Sequence, residues 1–323
     1  MNILLTGSVA YDYLMIFPGH FRDHILPDQL ERISLSFLVE SMVRMRGGTA
    51  PNIAYTMALF GQRPRLFAAV GEDFEEYRQW LESNGVDTLW AKVIPGVYTA
   101  SFFANTDRSN NQIASFYPGA MAYAAQLSLY DLQGNLPDVV MISPNDPEAM
   151  KRYVVECKEL GIPYIYDPSQ QIVRMNGDEL CAGIEGAQAL FVNDYEFALV
   201  QKMTCFTLED ILQRCQFLVV TRGQQGASVY AQGEQYHIPV VPAERIADPT
   251  GVGDAFRGGF LTAYANGLDW LTCGRVGVLA ATYCLEQSGP QGYAYTPGEF
   301  VARFRRHFDD MGKLDVLLAS SHS

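Results

Sequence analysis

Val139-Val140-Met141-Ile142-Ser143 is followed by Pro147 to Leu160, whose apolar residues recur with helical spacing up to a stop at Gly161, and then by Tyr164-Ile165-Tyr166-Asp167. A short apolar run, a helix and a second apolar run are the sequence form of a βαβ unit. The same alternation extends in both directions. Ile3 to Thr6, Leu66 to Val70, Ala189 to Asn193 and Phe217 to Thr221 read as strands, while Asn52 to Phe60, Glu75 to Ser83, Ala255 to Ala265 and Leu271 to Glu286 read as helices. Strands this uniformly apolar are buried on both faces, so the class is α/β, a parallel sheet between two helical layers.

Two stretches break the rhythm. Tyr98 to Asn105 and Asn111 to Tyr117 alternate in strand fashion around the polar turn Thr106-Asp107-Arg108-Ser109-Asn110, a hairpin signal. Phe17 to Arg46 is too long for an ordinary connection and carries Ser34-Leu35-Ser36-Phe37-Leu38-Val39. No Pro/Gly/Ser-rich linker marks a domain boundary, so the chain reads as one domain over 1–323. A discontinuous β-rich lid would be drawn from about 11–46 and 90–120. Phe37 and Leu38 suggest a homodimer through that lid.

The 323 residues carry 23 Lys+Arg against 36 Asp+Glu, a net charge of −13, and 48% of them are hydrophobic. Excess acid without a basic run argues against nucleic-acid or membrane-surface partners, which need clustered positive charge. Arg303, Arg305 and Arg306 read as the solvated side of a terminal helix. The N-terminus lacks a basic leader and reads as a first strand, not a signal peptide. The six cysteines have no Cys-x-x-Cys or zinc spacing, which fits reduced thiols in the cytoplasm. His20 and His24 stand four apart, but no third ligand sits beside them and prolines crowd the segment, so they read as a solvated loop.

The sharpest local signal is Asp248-Pro249-Thr250-Gly251-Val252-Gly253-Asp254-Ala255-Phe256, running straight into helical periodicity. Gly251 and Gly253 let backbone N–H groups converge at a helix N-terminus, where the macrodipole favours an anion. The N–H groups from Gly251 through Val252 and Gly253 to Asp254 suit a developing phosphoryl charge. Asp254 beside them would repel phosphate, so its chemistry is that of a general base accepting the proton of an attacking hydroxyl. An acidic residue in a first helical turn also arises on dipole grounds alone, and the nonapeptide leaves that reading open.

This nonapeptide resembles the C-terminal signature of the ribokinase-like (PfkB) family of carbohydrate and nucleoside kinases. Gly47-Gly48-Thr49-Ala50-Pro51-Asn52 resembles that family's N-terminal glycine signature, Asn193-Asp194-Tyr195-Glu196 its Asn-x-x-Glu motif, and Thr221-Arg222-Gly223-Gln224-Gln225-Gly226 its nucleotide loop. Four motifs in the right order are far more specific than any Gly-x-x-Gly alone. Ser34 to Val39, Ile113 to Met121, Asn145 to Met150 and Asp167 to Gln171 further resemble the bacterial adenosine kinases.

The resemblance implies a three-layer α/β/α sandwich and ATP-dependent phosphorylation of adenosine in purine salvage. ATP and Mg²⁺ are the implied cofactors, and a monovalent cation (K⁺) stays open. It implies that Ser8, Asp12, Gly48 and Asn52 hold the ribose hydroxyls and that Phe102 and Phe116 flank the adenine. Gln170 and Gln171 would meet the base edge, and Ser36 and Phe37 would complete the pocket from the lid or a partner subunit. Asn193 and Glu196 would reach Mg²⁺ through water, with Thr221, Arg222, Gly223 and Gly226 around the nucleotide. Taken as residues alone, the phenylalanines read equally as packing hydrophobes, Asp12 as a turn cap, Gln170 and Gln171 as loop residues, and Glu196 as the partner of a cation. Arg222 reads as a phosphate contact or a solvated side chain. A kinase of ribose or fructose is the rival within the family, and a silent nucleoside-binding protein the rival outside it.

Overall fold

The computed structural model describes residues 1–25, 31–32 and 34–319, so part of the 17–46 connection lies outside the described residues. Among the described residues thirteen strands form two sheets. They are β1 (Ile3–Thr6), β2 (Ala10–Ile16), β3 (Ser41–Gly47), β4 (Arg65–Val70), β5 (Ala91–Val93), β6 (Ala100–Thr106), β7 (Gln112–Tyr117), β8 (Val139–Ile142), β9 (Tyr164–Tyr166), β10 (Ala189–Asn193), β11 (Phe217–Thr221), β12 (Ala227–Ala231) and β13 (Glu234–Ile238). The helices are α1 (Thr49–Leu59), α2 (Glu75–Ser83), α3 (Pro147–Leu160), α4 (Gly177–Ile184), α5 (Asp194–Thr204), α6 (Leu208–Arg214), α7 (Val252–Ala265), α8 (Trp270–Leu285), α9 (Pro297–His307) and α10 (Asp315–Ala319).

The large sheet has the order β13-β12-β11-β10-β9-β8-β1-β4-β5. From β5 to β11 every pairing is parallel, as expected. The sheet then departs from a purely parallel one, because β12 and β13 add an antiparallel hairpin. Gln232 and Gly233 between them both take positive φ, 56° and 79°, the backbone of a two-residue primed turn.

Strand alternation sorts the core into two layers. Ile3, Leu5, Met141, Phe191 and Val219 face the cluster built on α1, α2, α7, α8 and α9. Leu4, Val140, Ile142, Leu190 and Val220 face α3 to α6 on the other side. Local chemistry sets the helix ends. Asp146 accepts from the N–H groups of Glu148 and Ala149 to start α3 behind Pro147, and Gly161 closes it at φ 67°.

The small sheet has the order β3-β2-β6-β7, and β5 within 90–120 belongs to the large sheet instead. β2 leads into the 17–46 connection and β3, antiparallel to it, takes up its far end. The terminal basic cluster is not simply solvated. Arg303 is buried, with Nη1 and Nη2 2.8 and 2.6 Å from the carboxylate of Glu286, and Arg305 pairs with Asp310 and Asp315. Among the described residues, no helix is long and apolar enough to cross a membrane, no cluster of metal-ligating side chains forms, and all six cysteines are free.

Candidate active site

α7 begins at Val252, three residues before the sequence places it, so Gly253 and Asp254 lie in its first turn, where backbone N–H groups have no helical partner. Gly251 precedes it at φ 79°, and a Cβ there would stand 2.3 Å from Cβ of Pro290. Asp254 is half-buried and accepts from Nδ2 of Asn52 at 2.9 Å. Burial pushes its carboxyl up to about 7, against the pull of Arg257 and of the Asn52 N–H, with Asp167 adding a smaller upward push. A base poised near neutrality suits abstraction of a hydroxyl proton.

Asn52 comes from the first turns of α1, which Gly48 admits. At φ 95°, Gly48 brings the chain so close to the Ser8–Ala10 backbone that a Cβ would lie 2.4 Å from the Ser8 carbonyl oxygen. Ser8 Oγ accepts the Thr49 N–H at 3.2 Å, anchoring the same junction.

Asp12 lies on β2, and three register pairs align Met45, Asp12, Phe102 and Phe116 as one row across the small sheet, on one face. Burial, reinforced by the negative charge of Asp248, pushes the Asp12 carboxyl up to about 6. Phe116 is half exposed on this row, while Phe37 packs against Phe17, Phe21 and His24 and Ser36 is exposed.

Asn193 and Glu196 form a capping box at the start of α5. Asn193 Oδ1 accepts the Glu196 N–H and Glu196 Oε2 accepts the Asn193 N–H, each at 2.8 Å. The remaining Glu196 oxygen accepts from Ser169 Oγ at 3.1 Å, so the cation partner that one sequence reading allowed is replaced by a hydroxyl and a backbone N–H. Ser169 Oγ also lies 2.8 Å from Oε1 of Gln170, and Gln171 is buried with Arg174 as its donor. One carboxylate and one amide, both already bonded, do not make a cage of protein ligands. They fit a Mg²⁺ that keeps its waters and takes its charge partners from phosphate.

In the 221–226 loop, Arg222 Nε and Nη2 stand 3.2 and 3.3 Å from Ser228 Oγ and Tyr230 Oη of β12, so its guanidinium is engaged by its own sheet. Gly226, at φ 84°, touches the Ile238 carbonyl so closely that a Cβ would lie 1.9 Å from it, whereas Gly223 faces open space. Thr221 ends β11 in register with Ala227.

Sequence reading alone passed over Arg257, Trp80 and Gln291. Arg257 lies on the helix face of Asp254 one turn on, a spacing that marks it as a neighbour. Gln291 and Trp80 are distant in sequence and have no motif to mark them.

The sequence pattern of the pfkB family of carbohydrate kinases matches residues 6–296, and the chain belongs to that family. It is accordingly a phosphotransferase with a hydroxyl acceptor. A nucleoside kinase of Methanothermobacter thermautotrophicus is 30% identical, over 94% of this chain and 95% of that protein. The nucleoside kinase of Burkholderia thailandensis is similar in two solved complexes. With inosine it gives TM-score 0.83 at 38% identity, covering 95% of this chain and 98% of that one. With ADP-inosine it gives 0.82 at 39% identity, covering 95% and 96%.

Proposed function

We propose that this kinase transfers the γ-phosphoryl group of ATP to the 5′-hydroxyl of adenosine, giving AMP and ADP in purine salvage. The single observation that carries the reading is the row of Asp12, Phe102 and Phe116 on one sheet face. A carboxylate accepts hydrogen bonds from a vicinal diol, and aromatic rings beside it offer a stacking platform for a planar base. Ribose or fructose would leave those rings without a partner. The relatives named as nucleoside kinases support the same class, and the inosine complexes of the Burkholderia protein make a purine the favoured base.

In this reading the 5′-hydroxyl gives its proton to Asp254 while its oxygen bonds to the γ-phosphorus and the bond to the β–γ bridging oxygen breaks, releasing ADP. The N–H groups of Gly251, Val252, Gly253 and Asp254 stabilise the charge in transfer. Ser8, Gly48 and Asn52 flank the ribose. Gln170 and Gln171 approach the base edge, and Ser36 and Phe37 close the pocket. Thr221, Arg222, Gly223 and Gly226 border the nucleotide, Arg222 through its backbone. Asn193 and Glu196 would hold Mg²⁺ through water, and the ion would supply charge neutralisation on the phosphates.

The lid is the small sheet β3-β2-β6-β7. Its apolar residues Ile16 and Val43, with Leu38 just before β3, are exposed and support a homodimer, which solution mass at micromolar concentration tests. Six free cysteines support a reducing cytoplasm.

The experiment is Mg²⁺- and ATP-dependent phosphorylation of adenosine, inosine, guanosine, ribose and fructose, with and without K⁺, beside Asp254→Asn. Preference for adenosine, lost in the variant, is the expected result. Preference for a free sugar overturns the substrate assignment, and full activity of Asp254→Asn overturns the base.

A further inference from the structure

Behind Asp254 runs a chain of side chains whose hydrogen bonds have only one direction. The indole Nε1–H of Trp80 is a donor with no acceptor capacity, and it stands 3.0 Å from Oε1 of Gln291. That contact settles which end of the Gln291 amide is oxygen, a choice that otherwise has to be inferred from the network. Nε2 of Gln291 then faces Oδ1 of Asn52 at 2.9 Å and the Tyr77 hydroxyl. Tyr77 is free to accept, because its own proton goes to the Gly47 carbonyl at 3.0 Å. With Oδ1 occupied as acceptor, Asn52 turns Nδ2 toward Oδ2 of Asp254 at 2.9 Å.

We propose that Trp80 and Gln291 are positioning residues that fix which end of the Asn52 amide faces Asp254. The inference rests on the reading of Asp254 as general base. The indole is itself held in place, with the Arg46 guanidinium 4.5 Å from the ring centroid on β3 and the Tyr55 ring stacked at 6.1 Å. Gln291 is buried and so is Tyr77, so neither amide end can turn to water for a substitute partner.

Orientation matters because the two ends of Asn52 act oppositely on a carboxylate. An N–H favours the ionised form that accepts a proton, and a carbonyl oxygen in its place favours the neutral form. The other groups around Asp254 stay the same in either case. They are Arg257 on α7, Asp167 after β9, Cys284 on α8 and Tyr293 beyond it.

Two substitutions break the direction at different links. Trp80→Phe keeps an aromatic ring and removes one of the two contacts that orient the Gln291 amide, the other being Tyr77, whose proton is committed to the Gly47 carbonyl. Gln291→Glu keeps the shape and replaces the N–H that Asn52 accepts by a carboxylate, so Asn52 turns Nδ2 toward Glu and its oxygen toward Asp254, while the same change in an Asn52→Ala background reads the push of the added negative charge alone. The readout is difference infrared titration of the Asp254 carboxylate in the intact ligand-free protein, with Asp254→Asn identifying the band. Gln291→Glu is expected to move the Asp254 midpoint upward by about one pH unit more in the parent protein than in the Asn52→Ala background, a tenfold difference in proton affinity, and Trp80→Phe to move it by less because Tyr77 still orients Gln291. The acid limb of kcat with adenosine should follow in the same direction. A shift in Gln291→Glu no larger than the one in the Asn52→Ala background overturns the proposal, whether or not Trp80→Phe folds. Kinase activity retained by Asp254→Asn would instead overturn the base assignment, and the infrared titration would still judge the hydrogen-bond chain by itself.

Discussion

Nε and Nη2 of Arg257 lie 2.6 and 2.7 Å from the two carboxylate oxygens of Asp167, one helical turn beyond Asp254, and Nη1 donates to the Gly253 carbonyl at 3.0 Å. The guanidinium is therefore held by the protein and not offered to phosphate. Burial opposes its charge most strongly, but Asp167, together with Asp254 and Glu196, outweighs burial and keeps it protonated. Its positive charge in turn draws the Asp254 carboxyl down against the larger effect of burial.

Asp167→Asn removes the counter-charge from a buried cation. Breaking such a pair costs about 3–5 kcal/mol, so the urea midpoint should fall accordingly. The same change removes a negative charge that pushes Asp254 upward, so the acid limb of activity should move to lower pH while stability falls. Loss of stability with an unmoved limb would separate Arg257 from the base.

The α/β alternation was legible because Ile3–Thr6, Val139–Ile142 and Phe217–Thr221 are buried on both faces and therefore apolar throughout. β2 and β3 were not, because Ala10–Ile16 and Ser41–Gly47 mix Asp12, Tyr13, Arg44 and Arg46 into a sheet with one open face. α4, α5 and α6 were missed because each is anchored by a capping box, whose Asn176, Asn193 and Thr207 signals are local and weak against the surrounding pattern. The glycine turn before α7 could be read because its backbone conformation demands glycine. The partners of Asn52 could not, since Gln291 and Tyr77 are brought to it only by packing.

The pH profile follows from two raised carboxyls. Asp254 must be ionised to accept a proton, so kcat/KM at saturating MgATP should rise with unit slope up to a limb near pH 7. Asp12, held near 6, adds a second ionisation for acceptors whose diol it binds, so the slope steepens below that value. Asp12→Asn should raise KM for adenosine and abolish only the steeper part. A flat profile from pH 5 to 8 contradicts both assignments.

Stability should run opposite to activity at this site. The Asp254 carboxyl sits near 7 in the folded protein, against an ordinary value of 3.8. Across that window the folded chain binds the proton more tightly than the unfolded one, so stability falls as pH rises from about 4 to about 7. Asp254→Asn removes the penalty and can still accept from Asn52. The rise would correspond to roughly 4 kcal/mol in a fully enclosed site, and solvent screening at this half-buried position reduces it. The variant should therefore gain about 1–2 kcal/mol at pH 8 and little at pH 4, as measured by thermal unfolding at the two pH values.

Gly251 and Gly253 should respond unequally to alanine. At Gly251 a Cβ meets Pro290 backbone and ring at 2.3–2.8 Å on a left-handed backbone, so the turn must shift. Loss of aligned donors to a transferring phosphoryl group is worth about 100-fold or more in kcat. Gly253 has no positive φ, and its Cβ would meet only Nη1 of Arg257 at 3.0 Å, so the effect on kcat should be much smaller. Equal losses in the two variants, with unchanged urea midpoints, would dissociate catalysis from the geometry of the turn.

Phe102 tests the acceptor class directly. It stands in register between Asp12 on one side and Phe116 on the other, so removing its ring opens the platform without touching the carboxylate. Stacking of a base on an aromatic ring is worth about 1–3 kcal/mol, so Phe102→Ala should raise KM for adenosine about 10-fold or more. KM for MgATP should stay within about twofold, because no nucleotide contact is assigned to this row, and Phe102→Tyr should restore the adenosine value by restoring the ring. Weak turnover of free ribose, which has no base, should be the same in all three proteins. An adenosine KM that ignores the loss of the ring would move the base elsewhere in the molecule and leave Asp12 as the row's only link to substrate.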